Sequence, residues 1–225
     1  MDLGTIKGLK YPDDYFIKFF FKMSFHKKKN LKFIEFGSSN GNNLTLPYQY
    51  GHHVTGIDID KKSIDDAFFN FQTIYNNNQS SFNFYLLDML EFAQTNNGLK
   101  ADVFMLPNIV NYISREDVYL FLKFMKENGN LKQNASIFIR CRTPKDFRFG
   151  LGIQKGYNAY KFEESNNITG EAGCLNTFYN ELDITDTLRE HLNLRDFTIL
   201  QCDFQNIQNN TIVSNSDLIL WGTIL

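Results

Sequence analysis

The stretch LKFIEFGSSNGNN (residues 31–43) carries an apolar run into a glycine-bearing turn and then into a helix-compatible stretch. Its first half is aromatic and β-branched without alternation, the pattern of a strand buried on both faces. Glu35, Gly37, Ser38, Ser39 and Gly41 fall where this strand hands over to the helix. Glycine there lets the backbone approach a ligand closely, and the free amides of a helix N-terminus hold a polar or anionic group. A plain tight turn meets the same Gly-x-x-x-Gly spacing, so the neighbouring strands decide the matter. The next run, HVTGIDI (53–59), ends on Asp58 and Ile59, and FNFYLL (82–87) is followed by Asp88 and Met89. An acid closing the second strand stands where it reaches the paired hydroxyls of a ribose, and open α/β sheets bind ligands at that carboxyl edge. Three successive strands thus aim suitable groups at one crevice.

Outward from this centre, DVFML (102–106) and ASIFIRC (135–141) read as two more buried strands. Helical stretches over 41–50, 61–75, 89–94 and 114–128 lie between the five. Ser114 and Asp117 form a capping-box pair for the last helix, with Val118, Phe121, Leu122 and Met125 on one face. The alternation predicts βαβ units with right-handed crossovers. It stops after Cys141, and 143–182 has no stable period, as in a substrate-binding insertion. A helix resumes near Asp183, with Ile184, Leu188 and Leu192 in register, and two strands, 196–204 and 217–225, close the chain. Their short connection requires an antiparallel pair. The expected fold is α/β, doubly wound: a seven-stranded, mostly parallel sheet with an antiparallel last strand and helices on both faces. Residues 1–225 form one domain, with 1–30 as an N-terminal helical cap.

The chain has 225 residues, 43% apolar and 21% charged, which excludes a disordered polymer. No apolar run is long enough to span a bilayer. The 23 Lys and Arg against 25 Asp and Glu give a net charge of −2, too neutral for bulk attraction to nucleic acid. Three separated cysteines, Cys141, Cys174 and Cys202, suggest neither a zinc site nor a disulfide framework. The N-terminal residues lack a signal-peptide core, so a cytoplasmic location is expected. Asparagine recurs in tracts and reads as a compositional bias.

The turn resembles the first motif of the class I S-adenosylmethionine-dependent methyltransferases, an acid followed by glycines at alternate positions. Glu35, Gly37, Ser39 and Gly41 occupy those places, with serine at the middle glycine. The resemblance spans 31–142 and 183–225. It implies S-adenosyl-L-methionine as cofactor, with the Gly37–Gly41 turn and Ser38 against its methionine part. Asp58 would then bind the ribose hydroxyls and Asp88 with Met89 contact the adenine, with Ile59 and Pro107 as further cofactor contacts. Two rivals share the turn. Ser39 satisfies the nucleophile elbow of α/β-hydrolases, with Asp183 or Asp186 and His191 as partners, but only one strand precedes it. A nicotinamide enzyme needs G-x-G-x-x-G, which is absent here.

The acceptor side is read from the run Pro107-Asn108-Ile109-Val110-Asn111-Tyr112 and the insertion. The (Asn/Asp)-Pro-Pro-aromatic sequence of adenine N-methyltransferases is missing, and no acids gather at this strand end, so no metal is expected. Arg140, Arg142, Lys145 and Arg148, interleaved with Phe147, Tyr157 and Tyr160, suit phosphate or carboxylate and sugar faces. Tyr11, Asn108, Arg142, Arg148 and Tyr157 are the candidate substrate contacts. Glu171, between two glycines, and then His191 are the candidate general bases. Tyr11-Pro12 leads a helix with Pro at its first turn, and its aromatic stripe reads as core. This lead segment and GEAG (170–173) resemble bacterial enzymes that methylate sugars in capsule and surface-polysaccharide synthesis. The expected acceptor is a sugar hydroxyl on a nucleotide- or phosphate-linked carbohydrate, with tRNA, protein or another metabolite as alternatives, and a non-catalytic cofactor-binding subunit as the rival outside enzymes.

Overall fold

The computed structural model describes residues 3–75, 80–95, 98–164, 170–208 and 210–225. Helix α1 (Asp14–Lys22) precedes strand β1 (Lys32–Phe36), and the alternation then runs α2 (Thr45–Gln49), β2 (His53–Asp58), α3 (Lys61–Phe69), β3 (Phe82–Leu86), α4 (Met89–Thr95), β4 (Ala101–Pro107), α5 (Arg115–Glu127) and β5 (Leu131–Arg142). Three short strands follow, β6 (Ile153–Gly156), β7 (Ala159–Lys161) and β8 (Leu175–Thr177), then α6 (Glu181–Leu192), β9 (Arg195–Gln208) and β10 (Thr211–Ile224). The main sheet has seven strands in the order β3-β2-β1-β4-β5-β10-β9. The first five are mutually parallel, and β10 runs antiparallel to both neighbours. The strand order reverses between β1 and β4, beside the turn that follows β1.

Side-chain alternation divides the interior into two apolar layers. Ile34 and Phe36 of β1, Phe104 and Leu106 of β4, and Leu218 and Leu220 of β10 pack with α4, α5 and α6. Phe33, Val103, Met105, Phe138, Ile219 and Trp221 face the other way, against α1 and α3. Phe16 and Phe19 of α1 meet the Phe138 ring at 5.7 and 5.4 Å between centroids, so the aromatic stripe is core, as read.

Local capping departs from the sequence reading in three places. Pro12 lies outside the first turn of α1; Asp13 caps it, accepting from the amides of Tyr15 and Phe16. Ser114 accepts the amide of Asp117, while the Asp117 carboxylate takes the Ser114 hydroxyl rather than its backbone N–H. Helix α6 starts before Asp183, because Asn180 and Asp183 form the reciprocal box instead. The helix expected over 41–50 contracts to α2, since Gly41 to Asn43 belong to the turn.

The insertion is not a loop throughout. Strands β6, β7 and β8 form a small antiparallel sheet whose Tyr160 packs with Phe149 and Phe178. Arg115 at the start of α5 fastens it, donating to the carbonyl of Phe178 at 2.6 Å and to Asp183 at 3.0 Å. Residues 165–169 of the insertion lie outside the described residues. The closing strands run further than expected, because β5 pairs with β10 only from Asp217 onward and the segment before it continues as a two-stranded ribbon with β9. Among the described residues no helix is long and apolar enough to cross a membrane.

Candidate functional site

The turn after β1 is shaped by close approaches. Gly37 and Ser38 both donate to the Ile57 carbonyl, at 2.9 and 3.1 Å, which binds the turn to β2. Gly37, Ser39 and Gly41 have φ of +67°, +46° and +74°. A Cβ at Gly37 would stand 2.9 Å from the Ile109 side chain, and one at Gly41 2.9 Å from the Phe71 ring. Ser39 is half-buried and borders an open cavity, where a serine side chain has room. Asp58 ties the turn from the next strand, accepting the amides of Ser39 at 2.8 Å and Asp60 at 2.9 Å.

Two cavities meet at Gly37. The smaller, about 110 Å³, is a mainly apolar slot walled by Ile57, Ile59, Leu87, Met89, Ile109, Tyr112 and Ile113, with Asp58 and Asp88 at its edge. Asp88 also caps α4 through the amides of Leu90 and Glu91. The larger, about 330 Å³, is bordered by Leu9, Tyr11, Pro12, Asp13, Glu35, Ser39, Asn42, Asn43, Pro107 and Asn108. The structure therefore gathers Glu35, Gly37, Ser39, Asp58, Ile59, Asp88, Met89 and Pro107 along one crevice at the carboxyl edge. Ser38 and Gly41 support its turn from behind.

Glu35 is buried, and its Oε1 accepts from the Asn43 amide at 2.6 Å. Its Oε2 has no partner, and neither has the buried Ser38 hydroxyl. Burial pushes the Glu35 carboxyl up to about 8; the Asn43 bond opposes the rise, and Asp13 and Asp58 add to it. An orphaned carboxylate oxygen beside a cavity is what a cationic ligand group satisfies.

The N-terminal segment is strapped across this turn by asparagines. Asn40 donates to the carbonyls of Lys7 and Leu9, Asn42 to that of Tyr11, and Asn43 accepts the amide of Asp13. Asn70 exchanges two bonds with the backbone of Lys7. What composition presented as bias is, at these four positions, a clasp.

On the acceptor side, Asn108 adopts φ +62°, donates its amide to the Arg140 carbonyl at 2.8 Å and borders the larger cavity with Tyr11. Arg140 is committed to Asp217 and Asp13 and lies beside the Tyr15 ring. Arg142 and Arg148 converge on Glu171: Oε1 accepts from Arg142 Nη2 at 2.6 Å and from the Tyr112 hydroxyl at 2.7 Å, and Oε2 from Arg148 Nε at 2.7 Å. Glu171, the first candidate base, is thus held by three donors at this place. Burial raises the Tyr112 phenol above its ordinary value, with Arg142 opposing.

Two expectations are not met. Tyr157 lies over the Arg115 guanidinium, 5.0 Å from its ring centroid, in a groove between α5 and α6 and not on the crevice. His191 stands in the last turn of α6, stacked on Tyr119 at 5.3 Å, at the end that leads toward the amino edge of the sheet. The hydrolase constellation falls with it: Ser39 borders the crevice, Asp183 pairs with Arg115, and His191 and Asp186 stay on α6. Ile109 and Tyr112 lie in the run read as the acceptor side but wall the slot instead, while Leu87 and Ile113 were not singled out from sequence, because apolar residues after a strand carry no motif.

No protein-family model and no curated protein matches the chain. Many solved structures do. A Methanosarcina mazei S-adenosylmethionine-dependent methyltransferase superposes with TM-score 0.65 at 14% identity, over 88% of this chain and 94% of that one. Magnesium protoporphyrin IX methyltransferase from Synechocystis, solved with bound S-adenosylmethionine, gives 0.55 at 14% identity over 93% and 76%. The Burkholderia thailandensis 1,6-didemethyltoxoflavin N1-methyltransferase gives 0.58 at 12% over 88% and 73%. The chain has the Rossmann-like methyltransferase fold. Its seven-stranded, mostly parallel sheet and its antiparallel β10 are those expected from the sequence.

Proposed function

We propose that the chain is an S-adenosylmethionine-dependent methyltransferase acting on a polar small molecule. One observation carries this reading: an apolar slot edged by Asp58 and Asp88 joins, at the Gly37 turn, a polar cavity bordered by Glu35, whose buried Oε2 has no partner. The bound cofactor supplies a methyl group on a sulfonium, a good leaving group for in-line displacement. Asp58 holds the ribose hydroxyls, while Ile59, Leu87 and Ile109 enclose the adenine and Asp88 with Met89 closes its edge. Glu35 receives the ammonium of the methionine part, and the Gly37 to Gly41 backbone lies against the rest. Asn108 and Tyr11 border the acceptor, and with Asp13 they orient it so that positioning lowers the barrier.

The acceptor we favour is a sugar hydroxyl on a nucleotide- or phosphate-linked carbohydrate, as in capsule or surface-polysaccharide synthesis. The polar walls of the larger cavity and the arginines beyond it support it, and two superposed enzymes are named for small-molecule substrates. Neither Glu171 nor His191 carries a free basic atom toward Asn108, so we assign the rate chiefly to orientation. The test is a mass-spectrometric screen of nucleotide sugars, sugar phosphates, tRNA and protein extracts with labelled cofactor. A methylated product carrying the label among the sugars, undiminished by EDTA, is expected; transfer only to tRNA or protein overturns the acceptor assignment.

A further inference from the structure

We propose that Arg142 and Arg148 form a subsite for an oxyanion on the acceptor, and that Glu171 fills it from within until the acceptor displaces it. The inference rests on the methyltransferase reading of the adjoining crevice. Glu171 offers one oxygen to each guanidinium, the manner in which a ligand carboxylate or phosphate is held between two arginines. The Tyr112 hydroxyl that completes the clamp belongs to a residue walling the cofactor slot, so the clamp lies at the crevice rim.

Donors outnumber acceptors at this place. Asn111 accepts the Arg142 amide and Asn176 accepts from its guanidinium, and each leaves a buried NH2 without a partner. Buried donors left unpaired are costly, and an oxygen-rich ligand would add the acceptors that an internal carboxylate lacks. Charge points the same way. Asp146 neutralises Arg148, whereas Asn111, Asn176 and Tyr112 around Arg142 are neutral, so removing Glu171 leaves one positive charge to be matched. Release needs little backbone work, because Gly170 and Gly173, at φ +71° and +73°, lie on either side of Glu171.

The test titrates glucuronate, glucose 1-phosphate and neutral glucose into wild type, Glu171→Gln and Glu171→Gln/Arg142→Gln by calorimetry, each with and without S-adenosylhomocysteine. E171Q is expected to bind at least one anion tenfold or more tighter than wild type, with glucose unchanged and the gain lost in the double variant. A gain with glucuronate alone assigns a carboxylate, and with glucose 1-phosphate alone a phosphate. No gain with either anion, or a gain that survives R142Q, overturns the subsite in favour of a structural latch. Should E171Q fail to fold, wild type must bind one of the anions and R148Q must weaken that binding tenfold; otherwise the proposal falls. S-adenosylhomocysteine binding in the same titrations is the separate readout of the functional reading. Its absence alongside an intact anion gain sinks that reading and leaves the subsite standing.

Discussion

Burial holds the Glu35 carboxyl above the ordinary carboxylate range. With its carboxyl raised from 4.5 to about 8, the folded chain binds a proton there that the unfolded chain has lost between those values. Stability from this group is therefore undiminished below about pH 4.5, falls as pH rises, and reaches its full penalty above about pH 8. Glu35→Gln removes the penalty, so its thermal midpoint should match wild type near pH 4 and exceed it near pH 9. An equal difference at both pH values contradicts the assignment. The same group couples to binding, since an ammonium favours the ionised form. Calorimetry at pH 7 in buffers of different ionisation enthalpy should show release of about one proton on S-adenosylhomocysteine binding to wild type and none to E35Q. The Gly-rich turn gives a second test at this scale. Gly41→Ala forces a Cβ against the Phe71 ring at positive φ and should cost about 1–3 kcal/mol, whereas Ser39→Gly should be nearly neutral.

Among the elements, the strap over residues 3–13 depends on side chains rather than on a ladder of its own. Asn40→Ala removes both bonds to Lys7 and Leu9 in one step and should admit proteolysis near the strap at lower protease concentration, with weaker cofactor binding. Helix α1 is anchored differently, through buried rings, and Phe19→Ala should lower stability by about 3–5 kcal/mol. Elements of these two kinds differ in how they show in a sequence. The β-branched and aromatic residues of β1, β2 and β4 announce buried strands, even though Glu35 interrupts β1 and Thr55 and Gly56 interrupt β2. The clasp is silent, since Asn40, Asn42, Asn43 and Asn70 acquire their meaning only when the chain folds back. Strands β6 to β8 are too short for any period to register, and the outer half of the β9–β10 ribbon is polar enough to read as loop.

At the scale of the molecule, the parallel strands place Glu35, Asp58, Asp88 and Pro107 on one edge, with β1 and β4 parting at the crevice. That edge was legible because Asp58 closes β2 and Asp88 stands two residues past the end of β3. The far side of the crevice was not, because Tyr112, Arg142 and Glu171 are brought together from the end of β4, the end of β5 and the insertion by contacts across dozens of residues. Position in the fold also decided against His191, whose helix carries it away from the crevice whatever its chemistry. The central claim is that this crevice holds S-adenosylmethionine, and titration of S-adenosylhomocysteine into wild type and Asp58→Ala tests it most directly. One site is expected in wild type, weakened by about 1–3 kcal/mol in the variant as the ribose hydroxyls lose their charged partner. No binding to wild type at millimolar ligand, or equal affinity for both proteins, would contradict it.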